Sequence, residues 1–449
     1  MSLTDLPPEI LCDLTSDLSV QRNLRQVCRP FNDALESTVL SVFPISAVLL
    51  SRPRNIPVLE AIVAGRSKWA IHARTLRLRR NHDRNLRNGV EDTEGVKEKL
   101  LVQVLAKMEG IHTIDWLIST GEPAWMHQVT HDALGSFTDL RTFVFSVENP
   151  DLIQVDIRSL TNLTSLSIRA YGGSKWDLAL RDQAATLISS SPNLTAVDLH
   201  FSHASWSRTI LPSALQRLST NNVNSDLLQL LQQTSELACL ALSRHTGDAE
   251  TSSLLADEFF ASVLPKRAPT LVELSIVSPY TSAWSLGPRR AEELRALEFS
   301  KLRLLKLFVA SNDLSKGPKD DSNNPLYNLL NLIPHLPVLE DLEVYDAAPE
   351  WVRRPARCGM RQMEYYNDVA RIFGKAMESF RTTEAPARML SGAVEVSTYG
   401  SPSGRYIFGP VEDTQRDGEL EVEPVFRWHP RGLRNGETAT RHTLGWGWY

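Results

Sequence analysis

The sequence predicts an α/β protein: a short helical segment, an irregular solenoid whose units each contribute a helix and a short parallel strand, and a C-terminal capping segment. Three observations predict this architecture. The chain has 449 residues, too many for one compact hydrophobic core. A six-residue apolar template recurs along most of it, and amphipathic stretches lie between the copies. Because one such unit cannot bury its apolar face alone, we expect the units to stack.

The chain begins with an apolar pattern at helical spacing. Ile10, Leu14 and Leu18 follow one another at i, i+4 and i+8, after two prolines that suit the start of a helix. A second apolar stripe covers residues 24–35, and a third helix is predicted over 32–42. So short a segment cannot bury its own apolar face. It must pack either on another part of this chain or on a second polypeptide.

The repeats follow the template apolar-x-x-apolar-x-apolar. Its last two apolar residues alternate with one other residue, as in a half-buried strand. The copies are ARTLRL (73–78), IHTIDW (111–116), LRTFVF (140–145), LTSLSI (163–168), LTAVDL (194–199), LQRLST (215–220), LACLAL (237–242), LVELSI (271–276), LRLLKL (302–307) and LEDLEV (339–344). They start roughly thirty residues apart, which predicts a solenoid of roughly nine or ten units.

Amphipathic stretches between the copies predict the helices of the solenoid. They cover residues 96–110, 225–236, 252–264 and 325–336, and a further helix is predicted over 359–383. One helix and one strand per unit is the plan of leucine-rich repeats.

The N-terminal segment resembles an F-box. The pattern of that family opens with Leu-Pro-x-Glu-hydrophobic and closes with Val-Cys-basic-x-aromatic-Asn. Here LPPEIL (6–11) followed by Leu14 matches the opening, and VCRPFN (27–32) matches the close. The resemblance implies that these helices bind a Skp-family adaptor and, through it, a cullin. The adaptor-binding residues that it implies are Leu6, Pro7, Pro8, Glu9, Ile10, Leu14, Val27, Cys28 and Phe31.

The repeats resemble the degenerate leucine-rich repeats that follow the F-box in F-box proteins. A regular repeat carries Asn or Cys three positions after its last strand apolar residue, but here that slot mostly holds other residues, such as Tyr171, Ser202, His245 and Ala310. We therefore expect an irregular curve. The resemblance implies the substrate-recognition subunit of a Skp-cullin-F-box ubiquitin ligase. Such a subunit holds an unidentified protein substrate on its repeats and performs no chemistry itself.

These observations divide the chain into four predicted segments. They are an F-box-like helical domain (1–45), a leucine-rich-repeat-like solenoid (46–348), a helical end of the solenoid (349–384) and a strand-and-turn tail (385–449). The tail contains three tryptophans: Trp428, Trp446 and Trp448. We interpret it as a cap on the last repeat, since terminal repeats need covering. The alternative is an aromatic pocket for a ligand.

The inner strand face of the solenoid is the predicted surface for a partner. Each candidate position lies between two apolar residues of its template copy. The candidates are Arg77, Asp115, Thr142, Ser167, Asp198, Glu273, Lys306 and Glu343. Their charges are mixed, so they indicate no substrate class.

Charge, hydropathy and cysteine pattern exclude several classes of protein. The formal net charge is −5, whereas a general nucleic-acid binder needs a basic excess. The longest apolar run, over 39–50, is too short to span a bilayer, and residues 1–10 lack the basic start and apolar run of a signal peptide. The cysteines form no CxxC pair, which favours a reducing compartment. We expect a cytoplasmic or nuclear protein that binds neither nucleic acid nor membrane.

No motif for catalysis, metal or cofactor stands out, so we expect no enzyme activity, no metal and no cofactor. HQVTH (127–131) places two histidines at i and i+4, but Gln128 stands where a zinc protease has its Glu general base. A basic cluster after the repeats is interpreted as a solvated patch rather than a phosphate site: Arg353, Arg354, Arg357 and Arg361.

Two other functions stay open from the residues alone. The first is a repeat scaffold with no ubiquitin role, whose N-terminal helices dock on the first repeat as a cap. The second is an enzyme with its site in the strands after residue 385, which requires a deep pocket lined by several titratable groups.

Overall fold

The computed structural model describes residues 18–46, 50, 55–78, 94–119, 123–148, 155–170, 175–201, 206, 209–243, 248–310, 324–349, 360–379, 393–398, 404–410 and 424–430. The chain divides into two compact units, Met1–Leu230 and Leu231–Tyr449. The division falls within one helix, Ser225–Gln233.

The first unit contains a parallel sheet. Its described strands are Val42–Ile45 (β1), Thr75–Leu78 (β2), Thr113–Ile118 (β3), Thr142–Val147 (β4), Ser165–Ala170 (β5), Ala196–His200 (β6) and Arg217–Thr220 (β7). Each pairs in parallel with the next. The described helices up to the division are Leu18–Leu24 (α1), Arg29–Val39 (α2), Ile56–Val63 (α3), Trp69–His72 (α4), Glu94–Leu105 (α5), Ala124–Ala133 (α6), Lys175–Ser190 (α7) and Ser225–Gln233 (α8).

The second unit has a mixed sheet. Its described strands are Cys239–Ser243 (β8), Glu273–Val277 (β9), Leu304–Ala310 (β10), Asp341–Ala347 (β11), Ala393–Thr398 (β12), Gly404–Pro410 (β13) and Pro424–Pro430 (β14). Pairing is parallel from β8 to β12 and antiparallel from β12 to β14. The described helices are Ala249–Glu258 (α9), Leu264–Arg267 (α10), Pro288–Arg295 (α11), Pro325–Leu330 (α12) and Met360–Ser379 (α13).

The apolar residues of the template form the core of both units. Strand side chains alternate between a buried and a half-buried face, as the pleat requires. The register stacks buried residues of neighbouring strands, so that Trp116 packs on Phe145 with ring centroids 5.1 Å apart. Full burial of an apolar side chain contributes roughly 1.5–3 kcal/mol, so the stacked buried residues stabilise the pairing of these strands.

The prediction of an α/β repeat-type parallel sheet is confirmed. All ten template copies form strands, β2 to β11, with the helices α5, α8, α9 and α12 within or across the stretches predicted to be helical. The predicted helix over 359–383 is observed as α13, Met360–Ser379. No helix among the described residues combines the length and hydropathy needed to cross a membrane.

The N-terminal helices differ from the prediction in their bounds. The apolar stripe over 24–35 covers the end of α1, a turn over residues 25–27 and the first part of α2. Pro30 lies in the first turn of α2, where its missing N–H costs little. The helix predicted over 32–42 ends at Val39, and β1 follows as an unpredicted strand. Whether a third helix precedes α1 lies outside the described residues.

The C-terminal strands were predicted only as short strands and turns. β12 pairs in parallel with β11, the strand of the last template copy, and β13 and β14 continue as an antiparallel hairpin-like extension. The side chains of these strands, including that of Trp428, lie outside the described residues. Their role as a cap, or as an aromatic pocket, therefore stays a prediction.

Candidate functional site

The F-box-like segment is described from Leu18 onward. The residues of its opening motif lie outside the described part: Leu6, Pro7, Pro8, Glu9, Ile10 and Leu14. Within the closing motif, Val27 is 70% exposed, Cys28 is half-buried and Phe31 is only 6% exposed.

Phe31 is buried by this chain itself. Phe31, Leu35 and Val39 recur at i, i+4 and i+8 on α2 and form one apolar cluster, against which Leu24 and Cys28 pack. We expected Phe31 to contact an adaptor. That contact stays a prediction. Burial of the Phe31 side chain within this chain does not support it. Val27, one turn earlier, presents its apolar surface to solvent.

Glu36 connects α2 to the first repeat. Its side chain is 12% exposed and carries three basic neighbours. One carboxylate oxygen lies 3.8 Å from Arg25 Nη2, and the other contacts Lys68 Nζ and lies 4.0 Å from His72 Nε2. We call Glu36, Arg25, Lys68 and His72 the Glu36 cluster. It links α2 to α4 and to Lys68, the residue before α4.

The positions of β2–β7 that alternate with the core residues form the strand face of the first unit, and most of them are half-buried. Arg77 Nε lies 3.2 Å from Asp115 Oδ2 across β2 and β3. Neighbouring side chains in one row are close enough to form such pairs. The middle row of this face, whose members neighbour one another through the strand register, consists of Arg77, Asp115, Val144, Ser167, Asp198 and Ser219.

A denser polar cluster lies on β5 and β6. Asp198 accepts hydrogen bonds from Ser167 Oγ (2.8 Å) and Arg169 Nη2 (2.9 Å), and its other oxygen lies 2.9 Å from His200 Nε2. The Asp198 side chain is only 15% exposed. We call Ser167, Arg169, Asp198 and His200 the Asp198 cluster.

The surroundings of Asp198 determine its charge. Burial by itself raises the pKa of the carboxyl group, but the hydrogen bond and charge of His200 and then those of Arg169 outweigh burial and lower the pKa to about 2. Asp198 is therefore ionised at neutral pH. It is the counter-charge of Arg169 and also contacts His200.

The contacts of His200 differ from those of a catalytic relay. Its Nε2 faces both Asp198 Oδ1 at 2.9 Å and Ser219 Oγ at 3.4 Å. In a nucleophile–histidine–carboxylate relay the two partners use different ring nitrogens. These contacts describe a polar cluster that joins neighbouring strands.

The strand face of the second unit carries a different cluster on β10 and β11. Lys306 Nζ lies 2.9 Å from Glu343 Oε2, and 4.6 Å from the centre of the Tyr345 ring. Tyr345 also donates its hydroxyl to Glu343 at 3.0 Å and stacks on Phe308 with centroids 5.1 Å apart. We call Lys306, Phe308, Glu343 and Tyr345 the Lys306 cluster.

Two of the eight predicted surface positions lie in a different row. In the first unit, Thr142 lies in the row at the strand start, and Val144 holds the place in the middle row. Glu273 is displaced in the same way, with Ser275 in the row of Lys306 and Glu343. Both residues occupy the third place of their template copies, whereas the other six predicted positions occupy the fifth place. The predicted positions that do occupy the middle row of the first unit are Arg77, Asp115, Ser167 and Asp198.

The two histidines of HQVTH do not converge. His127 is fully buried, accepts a hydrogen bond from Trp116 Nε1 at 3.1 Å, and has its pKa lowered to about 4 by burial. His131 instead lies 3.2 Å from both Asp132 Oδ1 and the backbone nitrogen of Asp156. In the part of the chain that the structure describes, no group of His, Cys, Asp and Glu side chains has the arrangement of a metal site.

Comparison with known proteins finds distant similarity to solved structures but no similarity at the level of sequence families. No protein-family model matches this sequence, and no curated protein matches it. Among solved structures, the chain is similar to one from a crystal structure of the Rad7 and Elc1 complex in yeast, with 12% identity and a TM-score of 0.39. The match covers 78% of this chain and 95% of that chain. At this identity and TM-score it carries no inference about function.

Sequence reasoning missed several members of the two clusters. Arg169, Phe308 and Tyr345 lie just beyond the six-residue template, where the strands continue. The alternation of LSIRA (166–170) and LKLFVA (305–310) was a signal that these strands are longer than the template. The predicted basic cluster cannot be placed, since the side chains concerned lie outside the described residues: Arg353, Arg354, Arg357 and Arg361.

Proposed function

We propose that this chain is the substrate-recognition subunit of a Skp-cullin-F-box ubiquitin ligase. In this proposal the N-terminal helices bind a Skp-family adaptor and, through it, a cullin. The repeats hold a protein substrate in the cytoplasm or nucleus, and the chain performs no chemistry. The observation that supports the proposal is Val27, an apolar residue of the closing F-box motif that is 70% exposed.

Exposure of Val27 is physically informative because of its neighbours. The next turn buries Phe31, and Cys28 packs on the same cluster, so the helical pair already has an internal core. An apolar side chain outside that core gains roughly 1.5–3 kcal/mol when a partner covers it fully. A short helical segment that enters a groove of its partner is a known mode of recognition.

The Glu36 cluster supports a fixed position of the N-terminal helices relative to the first repeat. A ligase subunit must hold its substrate at a defined place relative to the adaptor. Glu36 ties α2 to Lys68 and His72 beside the first repeat, so the adaptor-binding helices and the first repeat would move together.

A second candidate function is a repeat scaffold with no ubiquitin role. The burial of Phe31 and the Glu36 cluster favour it, because both contacts are those of an N-terminal cap on a repeat array. The two candidates differ in whether anything binds the exposed side of the helical pair.

Direct binding to a purified Skp-family adaptor tests the proposal. We expect the full-length chain to bind and Val27→Asp to weaken binding at least about tenfold, since tenfold corresponds to about 1.4 kcal/mol. Ile71→Asp is the matched control, because Ile71 is 64% exposed but lies on α4, outside the motif. The double variant Leu6→Ala, Pro7→Ala tests the opening motif. If the intact chain ignores the adaptor, the scaffold is the better account.

A further inference from the structure

The solvent face of β9–β11 carries a stacked pair of aromatic rings. Phe308 and Tyr345 are in register on β10 and β11, with ring centroids 5.1 Å apart and ring planes 19° apart. Both are half-buried, on the face opposite the buried Leu307 and Val344. The rings therefore present apolar surface and π faces beside solvent.

This aromatic pair already binds a cation within the chain. Lys306 Nζ lies over the Tyr345 ring at 4.6 Å and also contacts the Glu343 carboxylate at 2.9 Å. A ring face next to a carboxylate attracts an ammonium or guanidinium group through both the ring quadrupole and the charge. The chemistry of this site therefore suits positively charged side chains.

Acidic side chains accompany the aromatic pair on the same three strands. In the row at the strand starts, the register places Leu304 of β10 between Glu273 of β9 and Asp341 of β11. In the next row along the strands, Glu343 faces Lys306, the basic member of the face. Charge complementarity thus favours a basic partner over an acidic one. We define the β9–β11 face by Glu273, Lys306, Phe308, Asp341, Glu343 and Tyr345.

We propose that the β9–β11 face binds an extended, arginine-bearing segment of a protein partner. This inference rests on the proposed function, because it names the substrate class of the repeat surface. A guanidinium group would stack on the aromatic pair, where its planar shape gives it an advantage over lysine. The residues next to this arginine in the partner segment would lie over Leu304, between Glu273 and Asp341.

Lys306 gives the proposal a distinctive consequence. If the partner's arginine uses the Tyr345 ring and the Glu343 carboxylate, Lys306 competes with it for both. Removing the Lys306 charge should then strengthen binding. If the cluster only stabilises the sheet, removing Lys306 should leave binding unchanged or weaken it.

The test uses the full-length chain and a labelled peptide of alternating arginine and serine, with lysine–serine and glutamate–serine peptides for comparison. We expect saturable binding in the order arginine, lysine, glutamate. Glu343→Gln should weaken the arginine peptide about tenfold, and Lys306→Met should strengthen it about threefold. Phe308→Leu should weaken it while keeping an apolar side chain in the strand.

The matched control is Asp115→Asn, because Asp115 pairs with Arg77 across neighbouring strands as Glu343 pairs with Lys306. It should change the affinity for the arginine peptide less than about twofold. The proposal is overturned if the arginine peptide binds no better than the glutamate peptide, if Asp115→Asn and Glu343→Gln act equally, or if Lys306→Met leaves binding unchanged or weakens it.

Adaptor binding, measured on the same variants, separates this inference from the proposed function. It should be unchanged by Glu343→Gln and Lys306→Met, because the adaptor site lies on the N-terminal helices. Failure of the intact chain to bind the adaptor would contradict the proposed function and leave the arginine site standing.

Discussion

The Asp198 cluster and the Lys306 cluster occupy equivalent places on two strand faces but have opposite chemistry. In the first, one carboxylate is surrounded by two basic side chains and a hydroxyl group. In the second, one ammonium group is held by a carboxylate and an aromatic ring. The buried residues of these strands are aliphatic in both cases: Leu166, Ile168, Val197 and Leu199 in the first, and Leu305, Leu307, Leu342 and Val344 in the second. The core therefore constrains the inward positions of each repeat, and the outward positions can differ from unit to unit.

The largest expected effect separates the two clusters by stability. Asp198→Ala removes the counter-charge of Arg169 and the carboxylate that His200 contacts, and both of these side chains are mostly buried. We expect a loss of about 3 kcal/mol in the free energy of unfolding. Urea denaturation of the full-length chain measures it. A loss below about 1 kcal/mol would mean that the cluster behaves as an ordinary surface ion pair.

The pH dependence of stability gives the second expected effect. The pKa of Asp198 is lowered from 3.8 to about 2 in the folded chain, so the folded state binds this proton less readily than the unfolded state. The resulting stability is fully present above about pH 4 and is lost as the pH falls towards 2, a contribution of about 2 kcal/mol. Asp198→Asn should flatten the profile in this window. An unchanged profile would contradict the assigned surroundings of Asp198.

A smaller effect is expected in the second cluster. Lys306→Met keeps the aliphatic stem but removes the charge that Glu343 and Tyr345 share. Because Glu343 keeps its hydrogen bond from Tyr345, we expect a loss of only about 1 kcal/mol in the free energy of unfolding. Thermal unfolding of the variant beside Asp198→Ala tests this ranking. Equal losses would remove the distinction between the two clusters.

The smallest effect should come from Arg77. Its side chain is 42% exposed, and its pair with Asp115 is open to solvent screening. We expect Arg77→Ala to cost less than about 0.5 kcal/mol, with the difference disappearing in high salt. The measurement is the urea midpoint at low and high salt. A large, salt-independent loss would show that this pair belongs with the Asp198 cluster.

The strands were predictable because the apolar residues that alternate along each template copy are the residues that the sheet buries. Alternating apolar residues such as Leu76 and Leu78 must share one face, and recurrence in neighbouring units then implies parallel pairing. β1 contains no copy of the template, so the repeat pattern did not predict it. Among the described strands β1 lies at the edge of the strand order and pairs only with β2, and an edge strand tolerates Pro44, which has no backbone N–H.

The surface clusters were less predictable, because they depend on cross-strand register. Thr142 and Glu273 occupy the third place of their template copies and the other predicted positions occupy the fifth, so the register places these two in the row at the strand starts. The stacking of Phe308 on Tyr345 joins residues from separate repeat units. Likewise, the F-box-like motif does not reveal that its aromatic residue turns inward while Val27 stays outside.

Calorimetric titration of the full-length chain with a purified Skp-family adaptor is the decisive test of adaptor binding. We expect one-to-one binding with a negative heat-capacity change, because Val27 and the motif around it would be removed from water. Val27→Asp should abolish most of this signal, and Ile71→Asp should preserve it. Absence of binding by the intact chain, or equal binding by both variants, would rule out the proposed adaptor site.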